Sequence, residues 1–238
     1  MRLSVLIPVY NERKRIRDTI KRVIIYFENT EPDFELILIN DGSTDETLQI
    51  CVEQAGAEQR IRVISYPVNR GKGYAILRGL KAAQGELLLF MDADMATPLK
   101  EYLKLREIMF SEKLDLVLGA RVKDETDIAV HNPIYRRFVG RIFNMFVRMI
   151  VLPHIKDSQC GFKLYTRSAY QAIASRQVIH DFSFDVEHLY ITRKLGLKIK
   201  EVGVQWSNVA NTTVSVFRSA LPMLINLFRI RWHHRRGY

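Results

Sequence analysis

Leu87-Leu88-Leu89-Phe90-Met91-Asp92-Ala93-Asp94 decides how this chain reads. An unbroken apolar run reads as a strand buried on both faces, and two carboxylates stand at its exit. Residues two apart on an extended chain point the same way, so Asp92 and Asp94 share a side. Two hard oxygen donors in that arrangement suit Mg²⁺ or Mn²⁺, with water and substrate phosphates completing the shell. An isolated Asp-x-Asp is more often a solvated acidic turn. Its place at a buried strand's end, among other polar strand ends, favours the metal site.

Outward from that strand the pattern repeats. Apolar runs at Leu3 to Val9, Phe34 to Ile39, Ile61 to Ser65 and Leu116 to Leu118 read as strands. Helical spacing fills Glu12 to Phe27, Asp45 to Ala55 and Gly73 to Ala83, with Thr44 or Asp45 as a cap and Pro98 opening a further helix. Strands of this kind alternating with helices predict an α/β fold whose mainly parallel sheet is covered on both faces. Ligands of such sheets bind beyond the carboxyl ends of the strands. The polar clusters fall there: Tyr10-Asn11-Glu12, Asp41-Gly42-Ser43, Asn69-Arg70-Gly71-Lys72-Gly73 and Asp92-Ala93-Asp94.

Two clusters admit more than one role. Asp41 either forms a turn with Gly42 and Ser43 or hydrogen-bonds a nucleotide base or ribose. Arg70 and Lys72, flanked by glycines, are placed to cradle a diphosphate. The loop is not a phosphate-binding GxxxxGK[ST] loop, because Gly73 and Tyr74 follow Lys72, and no dinucleotide GxGxxG follows the first strand.

Composition narrows the partner. The chain has 238 residues, 47% of them hydrophobic, and a formal net charge of +10 with a pI near 9.7. An anionic partner is expected. Nucleic acid is excluded as the reading, because no nucleic-acid-binding motif and no basic surface interleaved with aromatics occurs. Cys51 and Cys160 form no CxxC pair, which fits a reducing cytoplasm. No signal peptide and no spanning helix is read.

Taken together, Val5-Leu6-Ile7-Pro8-Val9-Tyr10-Asn11-Glu12, Asn40-Asp41-Gly42-Ser43-Thr44-Asp45, Asn69-Arg70-Gly71-Lys72-Gly73 and Asp92-Ala93-Asp94 resemble the family 2 glycosyltransferases, in order and in spacing. Gly119-Ala120-Arg121, Asp157-Ser158-Gln159-Cys160-Gly161-Phe162-Lys163 and Phe184-Asp185-Val186-Glu187 resemble the dolichyl-phosphate glucosyltransferase branch, with polyprenyl-phosphate mannose synthases nearby. The resemblance implies a glycosyltransferase A fold, a divalent metal and inversion at the anomeric carbon. The implied donor is a nucleotide sugar, UDP-glucose first and GDP-mannose second. By motif match Pro8, Tyr10, Glu12 and Asp41 hold the nucleoside. Asp92 and Asp94 take the metal and the ribose-diphosphate region, with Asp94 the direct ligand and a catalytic residue. Arg121 faces phosphate, and Gln159 is carried as a substrate-binding residue. The eukaryotic glucosyltransferases carry an N-terminal membrane anchor, whereas this chain starts at its first strand, so either membrane attachment is expected elsewhere or the acceptor is different.

The implied acceptor is a polyprenyl phosphate, whose second pKa of about 6 leaves it largely ionised near neutrality without a strong base. A saccharide hydroxyl, the alternative acceptor, needs a carboxylate base, and Asp157 is the candidate, its other reading being that it orients backbone or cations. Asp185 and Glu187, two apart on an expected helix, do not share a face and read as structural or acceptor-loop residues.

Two basic apolar segments point to a membrane surface. In 132–152, Arg137, Arg141 and Arg148 fall within roughly 40° on a helical wheel. In 214–236, Leu221, Leu224, Ile225, Leu227, Phe228 and Ile230 precede Arg229, Arg231, Trp232, Arg235 and Arg236, a composition suited to an anionic headgroup region. His233 and His234 read as polar tail. The expectation is a catalytic domain over 1–213 and a basic amphipathic segment over 214–238, attached to the cytoplasmic membrane face.

Overall fold

The computed structural model describes residues 2–121, 155–207 and 216–235. Seven strands make one sheet: β1 Leu3–Val9, β2 Phe34–Asp41, β3 Ile61–Tyr66, β4 Leu87–Met91, β5 Leu116–Arg121, β6 Phe162–Thr166 and β7 Ile199–Val204. The helices are α1 Ile16–Thr30, α2 Thr47–Ala57, α3 Lys72–Ala82, α4 Glu101–Ser111, α5 Arg167–Ala174, α6 Phe184–Lys194 and α7 Val216–His233. The spatial order is β3-β2-β1-β4-β6-β5-β7.

Strand alternation sorts the core into two layers. Leu6, Ile37, Ile39, Leu88 and Phe90 meet side chains of α3, α5, α6 and α7 on one face. Val5, Ile7, Leu36, Leu38, Leu89 and Met91 meet α1 and α4 on the other. Being buried on both faces is why β1, β2 and β4 carry apolar side chains at almost every position.

β1 to β4 run parallel, so their carboxyl ends open on one edge. β6, expected as a strand over Phe162 to Tyr165, is antiparallel to both β4 and β5 and stands between them, a direction and place not read from the sequence. Its register pairs Met91 with Phe162, so the chain entering β6 passes beside the chain leaving β4. That reversal brings residues 157–161 to the carboxylates. β5 runs to Arg121, beyond the predicted Leu118, and carries that arginine to the same edge.

Other boundaries shift by a turn. α1 starts at Ile16 and α2 at Thr47. Neither Thr44 nor Asp45 is the N-cap of α2, which falls at Glu46. Asp45 still accepts the Thr47 amide at 3.0 Å and so covers one free helix donor. The predicted helix over 132–152, with Arg137, Arg141 and Arg148, lies outside the described residues.

Candidate active site

The exits of β1, β2, β4 and β5 converge on one acidic centre. Burial, and then the neighbouring Asp92 charge, pushes the Asp94 carboxyl above its ordinary range. Glu12 is pushed up the same way, by burial and by Asp94 and Asp92, against the opposing pull of Arg15. Buried carboxyls raised by neighbouring negative charge mark a place that favours added positive charge. Asp94 is oriented by the Ala96 amide, 3.0 Å from Oδ1. Asp92 is paired with Lys72, whose Nζ lies 2.7 Å from Oδ1.

Gly161 makes room for this arrangement. A Cβ there would overlap the Asp92 carboxylate, and the Asp92 amide donates to the Gly161 carbonyl at 3.1 Å. Among the described residues no group of three side chains of the usual metal-ligating types converges. Asp92 and Asp94 offer hard oxygen donors of the kind Mg²⁺ and Mn²⁺ take, and an ion held by these two would need its other ligands from water and a diphosphate.

The neighbouring loop differs from its expected form. Asp41 is buried, and its two oxygens accept the amides of Arg70 at 2.8 Å and Gly71 at 3.0 Å. The turn after β2 is made by Asn40, which accepts the Ser43 amide at 3.3 Å. So Asp41 shapes the 69–71 loop and is not the turn former. The glycines face protein, not ligand. A Cβ on Gly71 would lie 2.5 Å from the His180 carbonyl oxygen, and one on Gly73 2.8 Å from that of Asp181. Gly71 also needs its φ of 96°. The close approach these glycines allow is to the backbone of 179–181. Arg70 leans on Tyr74, its guanidinium carbon 5.0 Å from the ring centroid. Pro8 lies in β1 beside Ile39, and Tyr10 is exposed at the strand's exit.

Asp157 meets a cation, one of its two expected roles. Its Oδ2 lies 2.7 Å from Arg121 Nε and its Oδ1 2.7 Å from Arg121 Nη2, a bidentate pair. Burial alone would raise this carboxyl, but the Arg121 hydrogen bonds outweigh burial and hold it below the ordinary 3.8. A carboxylate so held is a poor base. The pair fixes the direction of the Arg121 guanidinium, which also feels the charge of Asp92. Gln159 Nε2 reaches the Phe182 carbonyl at 3.4 Å.

Asp185 and Glu187 do diverge on α6. Asp185 is buried and meets Lys163 Nζ at 2.5 Å, while Glu187 accepts the amides of Val178 at 3.0 Å and Ile179 at 2.9 Å. Both are structural. His234, expected as polar tail, is instead buried, with Nε2 2.8 Å from Glu187. Sequence reasoning gave no role to Gly161 and Lys163 within their motif, and it missed Trp206 and Glu201, whose carboxylate accepts the Asp157 amide at 2.6 Å. A lysine inside the apolar strand Phe162-Lys163-Leu164-Tyr165 was the only local sign of a buried counter-charge.

Comparison with known proteins agrees with this geometry. The model of the family "Glycosyl transferase family 2" matches residues 4–174. A dolichyl-phosphate beta-glucosyltransferase of Dictyostelium discoideum is 34% identical over 99% of this chain and 75% of its own length. The Homo sapiens protein of that name is 31% identical over 99% and 76%. Among solved structures, glucosyl-3-phosphoglycerate synthase from Mycobacterium tuberculosis, in complex with Mn²⁺ and UDP-glucose, superposes with a TM-score of 0.68. It is 21% identical over 94% of this chain and 78% of that one. The fold is thus of the glycosyltransferase A type, and the chain is similar in sequence to the dolichyl-phosphate glucosyltransferases. With its motifs in register at the strand ends and the family model spanning most of its length, the chain belongs to glycosyltransferase family 2.

Proposed function

We propose that this enzyme moves a hexose from a nucleotide sugar to a polyprenyl phosphate at the cytoplasmic face of a membrane, with inversion. UDP-glucose is the first donor and GDP-mannose the second. The Arg121–Asp157 pair carries the reading. With the candidate base Asp157 held on an arginine, an acceptor that arrives already ionised is the better fit. A phosphate does so near neutral pH. The names and ligands of the relatives support the same direction.

In this mechanism Pro8, Tyr10 and Glu12 bound the nucleoside, and Asp41 holds the loop that carries Arg70. Asp92 and Asp94 hold the divalent ion. When bound, that ion supplies positive charge to the departing diphosphate. Lys72, now on Asp92, is within reach to share that charge with Arg70. Arg121 and Gln159 orient the acceptor phosphate. Its oxygen forms a bond to the anomeric carbon as the bond from that carbon to the diphosphate oxygen breaks, and the electron pair leaves with the nucleoside diphosphate.

The membrane reading gains from α7. Met223, Leu227 and Ile230 enter the core, whereas Ile225, Phe228 and Trp232 are 48%, 63% and 64% exposed. Spacings of three and four place these three on one stripe. Arg229, Arg231 and Arg235 are exposed near it. An apolar stripe edged by arginines suits an anionic lipid surface. No helix among the described residues is long and apolar enough to cross a membrane.

The test uses the full chain with Mg²⁺, polyprenyl phosphate and labelled nucleotide sugars. Label should pass into organic solvent with one donor, and Asp94→Ala should abolish it. Absence of organic-phase label from every donor sinks the reading.

A further inference from the structure

Trp206 lies two residues past the end of β7, and no motif above includes it. β7 pairs with β5 in parallel, Val204 beside Arg121, so the chain after β7 emerges at the same sheet edge as the acidic centre. The Ser207 amide donates to the Ala96 carbonyl at 2.8 Å and ties this exit to the turn that carries Asp94. Trp206 lines one cleft with Asp92, Asp94, Met95, Gly161 and Phe162. The Arg121 guanidinium carbon stands 5.6 Å from its ring centroid.

The ring has no part in the core. Trp206 belongs to neither apolar layer of the sheet, yet it is only partly exposed. A large aromatic kept out of the core and set in a cleft with a few convergent polar groups is the usual wall of a small-ligand site. Its neighbours limit the ligand. The carboxylates on one side call for a cation and a diphosphate, and the sugar of a nucleotide sugar hangs one bond beyond that diphosphate. A pyranose offers a face of C–H bonds that packs on an aromatic ring while its hydroxyls turn to polar groups.

We infer that Trp206 is the platform for the transferred hexose, a positioning residue that touches the sugar and holds its anomeric carbon towards the acceptor phosphate beside Arg121. The inference rests on the nucleotide-sugar reading and adds the residue that senses the sugar itself. The rival occupant is the first isoprene unit of the acceptor, which would also pack on an indole.

The experiment separates these by ligand. Intrinsic fluorescence of wild type and Trp206→Phe is followed with Mg²⁺ while UDP, UDP-glucose, GDP, GDP-mannose or polyprenyl phosphate is added, and binding is measured in parallel by calorimetry. The part of the signal lost in Trp206→Phe should respond to one nucleotide sugar and not to its free nucleotide. Trp206→Ala should weaken that nucleotide sugar about 3- to 10-fold. It should leave the free nucleotide's affinity within about twofold, and Trp206→Phe should restore most of the loss. Equal responses to nucleotide and nucleotide sugar, or a response to polyprenyl phosphate alone, overturn the proposal while leaving the transferase reading intact. If no nucleotide sugar binds in the calorimeter, both fall together.

Discussion

Gly161 and Asp92 show how narrowly a single side chain is placed. The carboxylate fills the space a Cβ would take. Gly161→Ala should therefore turn Asp92 out of the centre while the strand pairing around it survives. The expected outcome is an unchanged far-UV spectrum with metal-dependent donor affinity at least about tenfold weaker. Full affinity in that variant would remove Asp92 from the metal site. Asp157 poses a different question at the same scale. If it only aims Arg121, Asp157→Asn should raise the acceptor KM and cost at most about tenfold in kcat. If it is a base, kcat should collapse and its acid limb should vanish, because base catalysis is worth about 10²- to 10⁴-fold. Initial rates against pH with a lipid phosphate acceptor decide between them.

At the scale of the element, α7 has two faces with separate work. Leu227 is fully buried against the sheet's helical layer, so Leu227→Ala should destabilise the protein by about 2–5 kcal/mol in urea unfolding. Phe228→Ser with Trp232→Ser should leave that stability within about 0.5 kcal/mol, as exposed positions do. The double variant should lose sedimentation with anionic vesicles. Vesicle binding equal to wild type would refute the exposed stripe as the contact. The helix is also tied inward. Asn226 Nδ2 meets Asp181 at 2.5 Å, and His234 meets Glu187. Asp181 and His180 in turn crowd the glycines of the 69–73 loop. One segment, 177–187, thus lies between α7 and the 69–73 loop.

The whole molecule should report one buried histidine in its pH-dependent stability. Gln177 donates to the Gly73 carbonyl at 2.7 Å and the Ile179 carbonyl at 2.9 Å, which leaves its oxygen to accept from His188 Nε2 at 2.9 Å. Burial first, and Lys163 second, lowers the His188 ring from 6.5 to about 3. Below pH 6.5 the unfolded chain takes up a proton that the native state refuses, so this group makes stability fall with pH until about 3. Between pH 6.5 and 5 the loss from this group is on the order of 2 kcal/mol. His188→Gln, compared with wild type in urea at both pH values, should show a smaller decline. Equal declines would mean the ring is protonated in the native state.

Local pattern within a few residues was enough to establish β1 to β4, their parallel run and the four polar exits, because alternation and helical period are written in adjacent side chains, while β7 was not read at all. Asp92 and Asp94 needed only the end of one apolar run. Tertiary structure alone decided which charges meet. Arg121 finds Asp157 36 positions away, and Lys163 finds Asp185 22 positions away, because β6 enters the sheet reversed. Strand order and direction set such partners, and no short stretch of sequence records them. The same holds for α7, where both faces carry apolar residues and only docking on the sheet's helices determined which would remain outside.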